Sequence, residues 1–186
     1  IISLYCSSVR SGLPFFSMEL LEGQTLTEKI KNEKRLSVVD AIHILDQIAD
    51  ALTKIHGKNI IHRDMKPDNI MLITKGNDSN YVKLLDFGLA KMEHQTRLTQ
   101  TGMVMGTLSY ISPEQVSGAG AFPASDLYSL GVIFFEMITG EKPFVGPTTI
   151  DVMKLILDKD PIEPIRYRPE VGKQLNGLIL DMMAKS

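Results

Sequence analysis

Residues Pro123 to Thr139 read PASDLYSLGVIFFEMIT, and Gly140 closes the run. Apolar side chains fall on nearly every face of a 3.6-residue helix, so no side of it is suited to water. A helix of that kind sits in the middle of a large core, which commits the rest of the chain to wrapping around it. At 186 residues the chain is long enough to do so as one domain or most of one. The stretch from Leu127 to Ile138 carries Ser129, Gly131 and Glu136 and is too short to cross a bilayer, which takes roughly 18 to 20 apolar residues.

The elements around it are legible in turn. Ile1 to Val9 and Phe15 to Leu21 are β-rich runs joined by a glycine turn at 10–14, which predicts a hairpin too small to be stable alone. Gly23 breaks the pattern, and Thr25-Leu26-Thr27-Glu28 is a capping box that starts a short helix to about Glu33. Ser37 caps a second helix, in which Ala41, Leu45, Ile48, Leu52 and Ile55 form one apolar stripe ending near Gly57. Ile70 to Thr74 and Tyr81 to Leu85 read as two strands around a polar turn. Asp86 to Glu114 has little periodicity and many hydroxyls, the character of a long functional loop. Thr148 to Asp158 and Val171 to Ala184 read as helices separated by a connector holding Pro161, Pro164 and Pro169. The expectation is an α+β fold, mostly helical, with a few strands near the front.

Between two apolar runs lies IHRDMKPDNIML, residues 61–72, with more charge than a core-building segment would carry. Phosphoryl transfer needs a carboxylate to accept the proton of an attacking hydroxyl, a cation beside the phosphate, and oxygen ligands for Mg²⁺. Asp64 supplies the base, Lys66 a compact ammonium, Asn69 a neutral amide oxygen and Asp86 a charged oxygen for the metal. Gly88, after Asp86-Phe87, lets the backbone turn sharply enough to aim that carboxylate.

Bulk composition narrows the partners. A net charge of −2 argues against a chain whose business is binding nucleic acid or an anionic membrane. The single cysteine, Cys6, cannot form an internal disulfide, so the fold does not depend on an oxidising compartment, and a cytoplasmic setting is expected. His43, His56 and His94 lack ligand-like spacing, which points to surface or packing roles. Asn77-Asp78-Ser79 matches a glycosylation acceptor, a chance match in an intracellular chain.

His-Arg-Asp-Met-Lys-Pro-Asp-Asn (62–69), Asp-Phe-Gly (86–88) and Ser-Pro-Glu (112–114), in that order, resemble the signature set of the protein kinase family, serine/threonine type. The resemblance covers nearly the whole chain. It implies a protein-kinase-like fold: residues 1–21 as the last strands and hinge of the small lobe, and 22–186 as the helical large lobe, truncated at its C-terminal end. By the same resemblance Met18 guards the back of an ATP pocket, backbone groups of Glu19 and Leu21 bond adenine, and Met71 floors the ring. Arg63 resembles the arginine that grips an activation-loop phosphate, with Thr99 and Thr101 as receivers. Thr107 is similar to the residue that contacts the base and Lys66 in kinases specific for Ser and Thr. Asp126 resembles the buried acid that holds the catalytic-loop backbone, and Tyr128 in place of tryptophan is similar to bacterial kinases of the Hanks type.

The implied activity is transfer of the ATP γ-phosphate, with Mg²⁺, to Ser or Thr hydroxyls of a protein substrate. A pseudokinase or scaffold, and a small-molecule phosphotransferase, are the alternatives. The family's glycine-rich loop, strand lysine and helix glutamate would lie ahead of Ile1, and the arginine that pairs with Glu114 beyond Ser186. The 186 residues alone are therefore expected to be inactive and to leave Glu114 unpaired. Membrane anchoring elsewhere in a longer parent protein, and homodimerisation of that parent, both fit this reading.

Overall fold

The structure, a computed structural model, describes residues 1–10, 13–85 and 108–185. Asp86, Thr99, Thr101 and Thr107 lie outside the described residues. Strands β1 (Leu4–Arg10) and β2 (Leu13–Met18) pair antiparallel as expected, with Leu4 opposite Met18. The hairpin pairs only with itself among the described residues and leaves Tyr5, Phe16 and Met18 exposed. Strand β3 (Gly23–Thr25) stands where a mere break at Gly23 was expected, because its residues find a partner far along the chain in strand β4 (Ile70–Lys75). Strand β5 (Asp78–Leu84) pairs antiparallel with β4 and completes a three-stranded sheet. It starts ahead of Tyr81 because Gly76, at φ +61°, makes the turn tight enough for Lys75 to face Asp78.

Helix α1 (Leu26–Glu33) begins at the expected capping box: the Glu28 N–H donates to Thr25 Oγ1 (3.1 Å) and the Thr25 N–H to Glu28 Oε2 (2.7 Å). Helix α2 (Val38–His56) is capped by Ser37 Oγ, which accepts from the Asp40 N–H at 3.0 Å. Its buried stripe runs through Ala41, Ile44, Ile48, Leu52 and Ile55, with Leu45 at the margin. The region expected as loop up to Glu114 closes in a short helix, α3 (Pro113–Val116), whose start is capped as Gln115 Oε1 accepts from the Ser112 hydroxyl at 3.0 Å. Beyond α4 (Pro123–Thr139) come α5 (Thr149–Asp158), α6 (Pro164–Tyr167) and α7 (Gly172–Met182). Pro164 opens α6 instead of breaking the chain, since a helix's first residue needs no N–H.

Helix α4 lies at the centre, with Val132, Ile133, Phe134, Phe135, Met137 and Ile138 each 0% exposed. Full burial of such side chains contributes about 1.5–3 kcal/mol each. Helices α2, α6 and α7 pack around it. A Cβ on Gly131 would meet Met182 Cβ at 2.8 Å and Met183 Cγ at 2.9 Å, so α7 is seated against bare backbone. Gly140 ends α4 at φ +78°, and a side chain there would collide with the Lys34 carbonyl. No described helix is long and apolar enough to cross a membrane.

Candidate active site

The charged stretch 61–69 forms a loop between α2 and β4, closed by a single 3₁₀ turn at Pro67–Asn69. Proline suits the first position of that turn because its fixed φ is already near the helical value. The turn brings Asn69 back under Asp64: Asn69 Nδ2 donates to the Asp64 carbonyl (2.8 Å) and to Asp64 Oδ2 (3.0 Å). Lys66 Nζ stands 3.2 Å from the same Oδ2, so the carboxylate carries a cation on one side and an amide donor on the other. Asn69 is buried, while Asp64 and Lys66 keep 16% and 20% of their side chains exposed, enough for a substrate group to reach them.

The loop is held from below by α4. Asp126, 1% exposed at the head of that helix, accepts from the His62 N–H through Oδ2 and from the Arg63 N–H through Oδ1, both at 2.9 Å. His56 Nε2, at the end of α2, donates to Asp126 Oδ2 at 2.8 Å, since a carboxylate offers only acceptors. The two backbone bonds hold Arg63 at φ +67°, a left-handed conformation that costs a non-glycine residue about 1–2 kcal/mol. His62 is fully buried and its Nε2–H donates to the Leu85 carbonyl (3.0 Å), while the Leu85 N–H donates to the Asn69 carbonyl (2.8 Å). The last described residue before Asp86 is thereby tied to both ends of the loop.

Of the residues expected around a nucleotide base, Met71 and Glu19 meet on one face of the β4–β5 ribbon, Glu19 through Lys83. Ile70, Leu72, Val82 and Leu84 point into the core, so Met71 and Lys83, opposite each other in the register, share the other face. Thr25 of β3 pairs with Met71 from the far side. The Glu19 N–H donates to the Ser3 carbonyl (3.0 Å), and Glu19 Oε1 accepts from the Ser3 N–H (2.6 Å). Lys83 Nζ reaches the same carboxylate at 2.8 and 3.0 Å and holds it below the usual carboxylate range, with the Ser3 N–H adding to the effect. Met18 is 43% exposed at the end of β2, and Leu21 is half-buried.

A family profile described as protein kinase domain matches residues 1–186. The chain belongs to the protein kinase domain family. It is 43% identical over 158 residues to the serine/threonine-protein kinase PknA of Mycobacterium tuberculosis, which covers 84% of this chain and 36% of that one. To the serine/threonine-protein kinase PrkC of Bacillus subtilis it is 35% identical over 185 residues, 100% of this chain and 28% of the relative. To the serine/threonine-protein kinase pkn3 of Myxococcus xanthus it is 37% identical over 181 residues, 94% and 33% of the two chains. This kinase domain thus spans about a third of the length of these relatives.

Within the kinase domain, Glu114 of the Ser-Pro-Glu segment, expected to lack its arginine partner, takes a hydrogen bond from Ser125 Oγ in the first turn of α4. Gln115 Nε2 donates to the Arg63 carbonyl at 3.4 Å, linking this segment to the 61–69 loop. Tyr110 donates to Glu136 at 2.6 Å, and burial raises the affinity of both groups for protons. His56, assigned only a surface or packing role from the sequence, is part of the anchor; it lies 70 residues from Asp126, a pairing that no local pattern signals. Lys83, whose ammonium holds the Glu19 carboxylate, was not singled out from the sequence, although it is the one charged residue among Tyr81 to Leu85.

Proposed function

We propose that the protein is a serine/threonine kinase that passes the γ-phosphate of ATP to a Ser or Thr hydroxyl on a protein substrate. The observation that carries this reading is the set around Asp64: a carboxylate oriented by Asn69 Nδ2 and flanked by Lys66 Nζ at 3.2 Å, in a loop anchored to the central helix. Asp64 accepts the hydroxyl proton as the substrate oxygen attacks phosphorus. Lys66 keeps Asp64 from gathering uncompensated charge and presents its ammonium to the transferred phosphate.

Asn69 and Asp86 are the residues that would hold Mg²⁺. Both Nδ2 bonds of Asn69 go to Asp64, which turns the amide oxygen to the other side, and hard oxygen donors of this kind suit that ion. When bound, Mg²⁺ neutralises charge on the ATP phosphates. Met18, Glu19, Leu21 and Met71 form the adenine side, with residues 1–21 as the end of a small lobe and hinge and 22–186 as the large lobe. Arg63 with phosphorylated Thr99 or Thr101 orders the activation segment, and Thr107 joins Asp64 and Lys66 in selecting Ser and Thr. The names of the relatives support the choice of hydroxyl.

The test is phosphate transfer from γ-labelled ATP to casein by the full-length protein and its Asp64→Asn variant. The near-isosteric change should cut turnover by about 10²- to 10⁴-fold with an unaltered thermal melt. Near-normal turnover removes Asp64 from the role of base.

A further inference from the structure

Glu19 is the most heavily tied residue on the adenine side, and its ties run to two different parts of the fold. Its N–H and its carboxylate both bond the backbone of Ser3. The Ile2 N–H in turn donates to the Leu84 carbonyl at 2.9 Å, so residues 2 and 3 form a bridge between β5 and residue 19. A second bridge is direct: Lys83 Nζ to both carboxylate oxygens of Glu19, with 18% and 19% of the two side chains exposed. Lys83 lies directly opposite Met71, on the same face of the ribbon.

Resting on the reading of Glu19 and Leu21 as the adenine-binding hinge, we infer that Lys83 is a positioning residue for the nucleotide base, setting the gap between the hinge backbone and Met71. A flat ring bonded along one edge and covered on one face needs those two supports at a fixed separation. The hinge segment follows β2, while Met71 lies on β4, more than forty residues further along the chain. The Lys83–Glu19 pair spans that division, and a charge-assisted contact from one ammonium to both oxygens fixes the distance between the two. Neither side chain touches the reacting phosphate in this scheme, so its loss falls on base affinity and not on the chemical step.

Adenosine isolates the base from the phosphates, and its inhibition constant against ATP in the full-length protein is the readout. Lys83→Met should raise that constant and KM for ATP by about tenfold with kcat held within about twofold, the loss of uniform binding. Lys83→Arg, which keeps the charge and a two-oxygen contact, should restore both to within about threefold. Glu19→Gln keeps the shape of the hinge residue and should reproduce the Lys83→Met effect, so a failure of one variant to fold leaves the other decisive. A wild-type protein that phosphorylates casein but is not competed by adenosine overturns the hinge reading itself. Competition by adenosine that Lys83→Met and Glu19→Gln leave unchanged, or strengthen, overturns the positioning role alone.

Discussion

Replacing Asp126 with asparagine keeps the side chain's shape and removes one of its two acceptors. Three donors converge on the carboxylate: the N–H groups of His62 and Arg63 and His56 Nε2. An amide has one oxygen, so whichever way it turns, one of the two backbone N–H groups faces an NH₂. A hydrogen bond to a charged acceptor contributes about 1.5–3 kcal/mol, and a stranded buried donor costs about 1–3; the two overlap, leaving a net loss of about 2–4 kcal/mol. Arg63 makes the site more sensitive, because its backbone at φ +67° is held against an intrinsic preference for negative φ. With one anchor gone the residue can relax, and Asp64 moves with it. Amide hydrogen exchange read by mass spectrometry reports this locally: at a factor of ten per 1.4 kcal/mol, exchange at residues 62 and 63 should speed up about 30- to 700-fold. A control separates strain from bonding. Arg63→Gly accommodates the same φ without penalty and should be neutral or stabilising by up to about 1 kcal/mol in a urea melt. Unchanged protection at 62 and 63 in Asp126→Asn refutes the claim that α4 holds this loop in place.

Two further changes probe the frame around the site. Gly131→Val drives methyl groups into Met182 and Met183, and overpacking of this kind costs about 1–3 kcal/mol, so a calorimetric melt should show a clear drop in Tm; an unshifted melt means α7 can move off α4 freely. Glu136 has its proton affinity raised, chiefly by burial, so its fold-state contribution is fully present in acid and erodes as pH rises through the elevated value. Glu136→Gln should therefore raise Tm relative to the parent at pH 8, with the gap closing towards pH 4.5; a gap that widens in acid contradicts the assignment.

What could be read in advance divides along a physical line. Helices α1 and α2 announce themselves through Thr25, Ser37 and a periodic apolar stripe, because capping and amphipathicity are local. The central position of α4 was legible because a helix apolar all round has only one place to go. Strand β3 was not, since Gly23–Thr25 is a strand only by virtue of Met71 to Ile73, far along the chain. A like separation, 70 residues, hid His56 as an anchor of Asp126. In the candidate site, the residue types and spacing of Asp64, Lys66 and Asn69 suggested phosphoryl-transfer chemistry, but did not signal that Asn69 folds back to bond Asp64. That contact depends on the 3₁₀ turn at Pro67, a three-residue feature below the resolution of periodicity.

The polar residues in the first turns of α4 explain why so apolar a helix carries them. Ser125, Asp126 and Ser129 are all buried, and each bonds a different segment: Ser125 to Glu114, Asp126 to the 61–69 loop, and Ser129 Oγ to the Tyr110 carbonyl at 2.6 Å. Buried polar groups without partners would cost more than the apolar burial of a neighbouring residue contributes, so these are tolerable only because the loops they meet are in register. The dependence runs both ways. Apolar replacements of similar size at these positions need not unfold the core, since the helix below them keeps its packing. They would instead free the 61–69 loop and the 108–116 segment from a common frame, and if that loop carries the proposed chemistry, kinase activity would fall further than stability does.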